Sequence, residues 1–177
     1  MMETNPLSGF PMMAGMPAET LEAIARQAEI KAFEAGSVLF EEGDLATDLY
    51  GLMEGEVELS ILFRDRVLKA DVRHEEYVHK RVEIIETELV FETLEPGEIF
   101  AWSALIPPHQ LTSTARCTAS TRVMALPAEA LTGLFERAPQ AGMVFMQRLA
   151  EVIAQRLRLR TDKLIESWYQ AFGDERL

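Results

Sequence analysis

His74, Glu75, Glu76 and His79 come closest in type to a metal-ligand set, Cys117 is the only thiol, and Arg148, Arg156, Arg158, Arg160 and Lys163 form a locally basic run. Each suggests a chemistry, and in each case the spacing favours a plainer reading. The 74–79 group suits neither one helical face nor one strand face, and no cysteine assists it, so a solvated charged stretch explains it better than a metal site. Cys117 lies between Arg116 and Thr118 in a strand-like run. A thiol there packs as a small hydrophobe more readily than it senses redox state. Glu151, Asp162 and Glu166 interleave with the late basic residues, which suits the solubilised flanks of a helix seam better than a nucleic-acid track. Nothing pairs a nucleophile with a base, so the residues describe a binding module and not an enzyme.

The elements that carry these residues follow from composition and period. The chain has 177 residues, 48% of them hydrophobic, enough for one domain with a core and an appended long helix. Twenty-nine acidic against seventeen basic residues give a net charge of −12, a field that repels nucleic-acid backbones and anionic headgroups. One cysteine excludes an intrachain disulfide and fits a reducing, cytoplasmic setting. Met1, Met2, Met12, Met13 and Met16 crowd the start, but Pro6 and Pro11 interrupt the run and no basic cluster precedes it. The segment reads as an apolar arm on the body, not a signal peptide. No window approaches the roughly twenty apolar residues of a membrane span.

Pro17 with Leu21, Ile24, Ala25 and Ala28 predicts a short amphipathic helix running to about Ile30. From Phe33, short apolar runs cut by Gly36, Gly43 and Gly55 predict antiparallel strands. Residues 64–81 are densely charged, between strand-like segments at 57–63 and 82–94, which predicts an elongated hairpin with a charged tip. Turns follow at Pro96-Gly97 and Pro107-Pro108, then strand from Thr112 to Leu126. A short helix is expected over Ala128–Glu136 and a long one over Gln140–Phe172. Along the latter, Met146, Ala150, Ile153, Leu157, Leu164, Trp168 and Ala171 form one apolar seam. A helix of about thirty residues spans about 45 Å. That is more than a small body covers, so a twin helix from a second copy is the expected partner.

Three segments carry a resemblance. Gly36-Ser-Val-Leu39-Phe-Glu-Glu-Gly43-Asp-Leu-Ala46-Thr-Asp-Leu-Tyr50-Gly-Leu-Met-Glu-Gly55-Glu-Val57, then Pro96-Gly97-Glu98-Ile-Phe100, then Thr114 to Leu126 are similar in order and spacing to the cyclic-nucleotide-binding domains of the catabolite-activator and fumarate–nitrate regulator type. The resemblance implies a mainly β fold with α elements. It would be a cyclic-nucleotide-binding β-roll, a cupin-like jelly-roll, with a short N-terminal helix and a long C-terminal dimerisation helix. The expected bounds are 1–137 for the roll with its N-terminal helix and 138–177 for the dimer helix of the same domain.

In that family the pocket positions correspond here to Gly97, Glu98, Ala101, Trp102, Ser103, Ala104, Leu111, Thr112 and Ser113, with Thr161 near where some members reach the base from the dimer seam. The chain departs from the family where the ligand is charged. The family's Phe-Gly-Glu-x-Ala-Leu is replaced by Phe100-Ala101-Trp102-Ser103-Ala104-Leu105, and its phosphate-binding arginine and small hydroxyl residue by Leu111 and Thr112. Arg116 matches a second family arginine on the outer face. Trp102 is expected to fill the nucleotide's space, with a stacking platform for a flat ligand as the alternative.

The expectation is therefore a stand-alone regulatory module with a degenerate cassette and no helix-turn-helix. It would sense another small effector or act through a protein partner as a homodimer, without nucleic acid, membrane or metal. A genuine cAMP or cGMP sensor using Ser103, Thr112 and Ser113 is the alternative. A haem or redox sensor is a further one, with His74, His79 or Cys117 as the available ligands but no axial pair. A cupin-type metal enzyme is set aside, because His109 is the only histidine near the pocket.

Overall fold

A computed structural model describes residues 6–74 and 77–172; the side chains of Pro6, Ser8 and 66–83 lie outside the described residues. The chain divides into two compact units, Ala28–Ala128 and a second made of Met1–Gln27 with Glu129–Leu177.

The first unit is a sandwich of eight antiparallel strands: β1 (Glu29–Phe33), β2 (Val38–Phe40), β3 (Asp48–Glu54), β4 (Val57–His74), β5 (Tyr77–Leu94), β6 (Ile99–Phe100), β7 (Thr114–Cys117) and β8 (Thr121–Pro127). One sheet runs β1-β8-β3-β6 and the other β2-β7-β4-β5. Alternation sets the inward faces. On β7, Ala115 and Cys117 are buried while Thr114 and Arg116 are not. Leu52, Val57, Leu59, Leu94, Phe100 and Val123 complete the core with them. Gly55, at φ +89, turns β3 into β4 where a side chain would strike Ser120 O.

The predicted helix to Ile30 ends early. α1 is Ala18–Ala25, and Ile30 belongs to β1, where Glu29–Phe33 pair with residues 121–125 of β8. Local helical spacing yielded there to sheet pairing. The expected strand over Thr112–Leu126 is two strands, β7 and β8, parted at residues 118–120. The hairpin is longer than expected: the 64–81 stretch continues the ladder, Asp65 opposite Ile85 and Asp71 opposite His79. Beyond Ser60, which faces Thr114, β4 pairs with β5 alone.

In the second unit, 3-10 turns at Pro6–Gly9 and Pro11–Met13 bury Leu7, Met12 and Met13. Helix α2 (Ala128–Arg137) and helix α3 (Pro139–Phe172) follow, parted by Ala138, with Pro139 opening α3 where its missing N–H is harmless. The Pro11–Met13 turn packs on α3. Gly142 brings α3 close to Phe135, whose ring lies 4.9 Å from that of Phe145. With 34 residues, α3 is about 51 Å long. Its N-terminal half buries Phe145 and Leu149, whereas Leu157, Leu164 and Trp168 are 65%, 71% and 52% exposed.

Candidate functional site

The site is built on the segment between β6 and β7. Pro96-Gly97 turns the chain into β6: Gly97, at φ +94, donates its N–H to Leu52 O (2.8 Å), and Leu52 N–H donates to Glu98 O (2.8 Å). The Glu98 carboxylate accepts from Glu95 N–H at 2.8 Å, so it shapes the turn. Phe100 is fully buried in a ring cluster with Tyr50 and Phe40, at centroid distances of 5.5 and 6.1 Å. Burial first, then the negative charge of Asp48 and its hydrogen bond, push the Tyr50 phenol above its ordinary pKa.

Ala101 follows in the left-handed region, φ 59° and ψ 33°, and caps the 3-10 turn Trp102–Leu105. A glycine takes that backbone freely and an alanine only at a cost. The chain then passes the cis Pro107-Pro108 bond to His109, also left-handed at φ 58°, whose Nδ1 lies 3.1 Å from Ala104 O.

The β2–β3 loop locks onto the far end of this segment. Gly43 N–H donates to Leu111 O (2.8 Å), Leu111 N–H to Asp44 O (2.9 Å) and Ala46 N–H to His109 O (2.8 Å). This small ladder fixes the backbone at Leu111, whose side chain is 7% exposed.

A cavity of about 500 Å3 opens between the loop and the cassette. Of the residues singled out from sequence, Trp102, Ser103, Leu111 and Thr112 line it. Gly97, Glu98 and Ala101 shape the approach, Ala104 and Ser113 are buried, and none of these five lines the cavity. Thr161 lies on α3 in the other unit, its hydroxyl donating to Leu157 O at 2.8 Å. Sequence reasoning missed Glu42, Gly43, Ile106, Pro107, Pro108 and Gln110 in the lining. The first two stood in the stretch read as roll corners and the prolines were read as a chain break, so no residue type flagged them.

Glu42 is the only charged residue among the described lining residues. Its Oε2 accepts from Leu62 N–H at 3.0 Å. Arg116 points away from the core, with Nη2 at 3.9 Å from Glu88 Oε1 and Nη1 at 3.5 Å from Gly36 O. A phosphate in this cavity would meet hydroxyls, an amide and a carboxylate, and no cation.

Cys117 is fully buried. Burial raises its pKa, partly offset by a hydrogen bond with Thr121. Among the described residues no group of three or more His, Cys, Asp or Glu is placed to hold a metal. The side chains of His74, Glu75, Glu76 and His79 lie outside the described residues. No described helix is long and apolar enough to cross a membrane.

Known proteins place this geometry. No curated protein matches the sequence. A candidate cyclic nucleotide-binding protein from Geobacter metallireducens is 30% identical, with a TM-score of 0.63 over 89% of this chain and 99% of its own. A cyclic nucleotide-binding domain from Methylobacillus flagellatus reaches a TM-score of 0.69 at 16% identity, covering 92% of this chain and 80% of its own. The catabolite activator protein of Thermus thermophilus, at 22% identity and a TM-score of 0.60, matches over 90% of this chain, which spans 63% of the activator's length. The model of the cyclic nucleotide-binding domain matches residues 30–138. The two strand layers, the cassette between β6 and β7 and the long α3 are those of a cyclic-nucleotide-binding β-roll, and the chain belongs to the cyclic nucleotide-binding domain family.

Proposed function

We propose that the chain is a regulatory module of this family whose cassette has given up cyclic nucleotides, and that it responds to another small effector or acts through a protein partner. What supports this reading is the described lining of the cavity, where Trp102 and Leu111, which the sequence resemblance sets at the positions of the family's ribose-binding acid and phosphate-binding arginine, stand with Glu42 as the one charged residue. An arginine–phosphate contact of the desolvated kind contributes several kcal/mol, roughly a thousandfold in affinity. Ser103 and Thr112 hydroxyls recover a modest fraction of that. The module works as a sensor, not a catalyst, in the cytoplasm, and its charge of −12 keeps it off nucleic acid and anionic membranes.

We also infer a homodimer through α3, because Leu157, Leu164 and Trp168 leave an apolar stripe open along its C-terminal half. Sedimentation of the whole chain against Leu164→Glu tests this. A dimer that becomes a folded monomer supports the seam, and an unchanged mass sets it aside.

The second reading, a cyclic-nucleotide sensor with a rebuilt pocket, draws support from Ser103 and Thr112 both lining the cavity. Competition of cAMP or cGMP against a fluorescent cyclic-nucleotide analogue separates the two. The first reading expects no analogue to be retained, and saturable, displaceable retention favours the second.

A further inference from the structure

We propose that the cavity takes an organic cation, an amine or amidine on a flat or apolar body; this rests on the reading that its cassette does not hold a cyclic nucleotide. The walls determine the body of the ligand. Trp102, Ile106, Pro107, Pro108 and Leu111 present one indole and four aliphatic surfaces, enough to cover a ring or short hydrocarbon. The charge follows from what stands among them. Glu42 is the sole ionisable group of the described lining, no Lys, Arg or His joins it, and the whole molecule carries −12. An anion entering would meet neutral donors from Ser103, Thr112 and Gln110 but also the repulsion of Glu42, whereas a cation would meet that carboxylate and an indole.

Glu42 is also held in place for the task. Its Oε2 accepts the Leu62 N–H at 3.0 Å, and the Glu42 N–H hydrogen-bonds Thr114 Oγ1 at 3.1 Å. A carboxylate has about four acceptor sites in all, so this use leaves capacity for a ligand's N–H. The Leu62 link also ties the cavity to the first residues of β4 that pair with β5 alone. A cation drawing on Glu42 therefore acts on the root of the long hairpin.

The test uses the full chain carrying Trp168→Phe, which leaves Trp102 as the one indole. Its fluorescence is titrated with phenethylamine, with 3-phenylpropionate as an anion of similar size, and with cAMP. The proposal expects saturable change with phenethylamine, binding of 3-phenylpropionate about twentyfold weaker or worse, and stronger quenching of Trp102 by caesium than by iodide. Glu42→Gln keeps an oxygen for Leu62 N–H and removes only the charge. It should weaken phenethylamine about fivefold, the scale of one partly exposed ion pair, with the circular dichroism unchanged. Equal binding of cation and anion, no binding of phenethylamine, or indifference to Glu42→Gln overturns the cation assignment while the regulatory reading stands. Saturable binding of cAMP overturns the regulatory reading itself.

Discussion

Replacing Ala101 by glycine should leave the protein as stable as before or slightly more so, which is the reverse of what this substitution does in a strand. Ala101 sits at φ 59° and ψ 33°. The left-handed conformation costs an L-residue with a Cβ about 1–2 kcal/mol. Glycine removes that cost but gives back about 0.4–1 kcal/mol through the freedom of its unfolded chain. The Ala101 methyl is half-buried against the core, and losing it costs about 0.4 kcal/mol, half of a buried methylene. The sum is a gain of a few tenths of a kcal/mol. Ala115→Gly is the control. Ala115 is fully buried in regular strand β7, so it loses about 0.8 kcal/mol of burial and about 0.5–1 kcal/mol of backbone entropy with nothing returned. The two variants should therefore differ by about 2 kcal/mol in urea unfolding followed by fluorescence, at equal denaturant slopes. If Ala101→Gly destabilises as much as Ala115→Gly, position 101 is not left-handed and the cassette frame is not the one described.

Three further outcomes follow from the same structure. Gly55→Ala adds a methyl that strikes Ser120 O and comes within 2.6 Å of Thr121 Oγ1, whereas Gly36→Ala meets nothing within 4 Å at a similar φ. Thermal unfolding should show the first losing about 3–4 kcal/mol and the second about 1–2 kcal/mol. Cys117, fully buried and with its thiol pKa raised, should be inert to an aromatic disulfide reagent in the native protein and react fully in denaturant. Tyr50 has its pKa raised in the fold, so the folded state holds its proton more tightly than the unfolded chain. Its contribution is complete below the ordinary phenol value of about 10 and is lost as pH rises beyond it. Tyr50→Phe should flatten that alkaline loss in a stability-versus-pH series.

The sequence made the strands legible because the physics there is local. Glycines at 36, 43 and 55 mark corners, and all three have positive φ. The long helix was equally plain, because apolar residues recurred at helical spacing up to Phe172 and Pro139 marked its start. Ile30 was misread because a helical period and a strand share short apolar runs, and only pairing with Met124 decides between them. The hairpin's extent escaped because charge predicts solvent exposure, and a two-stranded ribbon satisfies exposure and pairing together. Six of the ten lining residues were invisible for another reason. Trp102 and Leu111 drew notice as replaced residues, but Glu42 reaches the site only through the ladder between residues 43–46 and 109–111, a contact that no local pattern encodes.

The central claim is that the roll is kept and its nucleotide chemistry lost. Calorimetric titration of the intact chain with cAMP and with cGMP, on protein shown to be folded by its cooperative unfolding, tests it most directly. The account predicts no saturable heat at micromolar nucleotide, because the roughly thousandfold from a phosphate-bound arginine is missing. A saturable isotherm with a micromolar or tighter Kd for either nucleotide would contradict it.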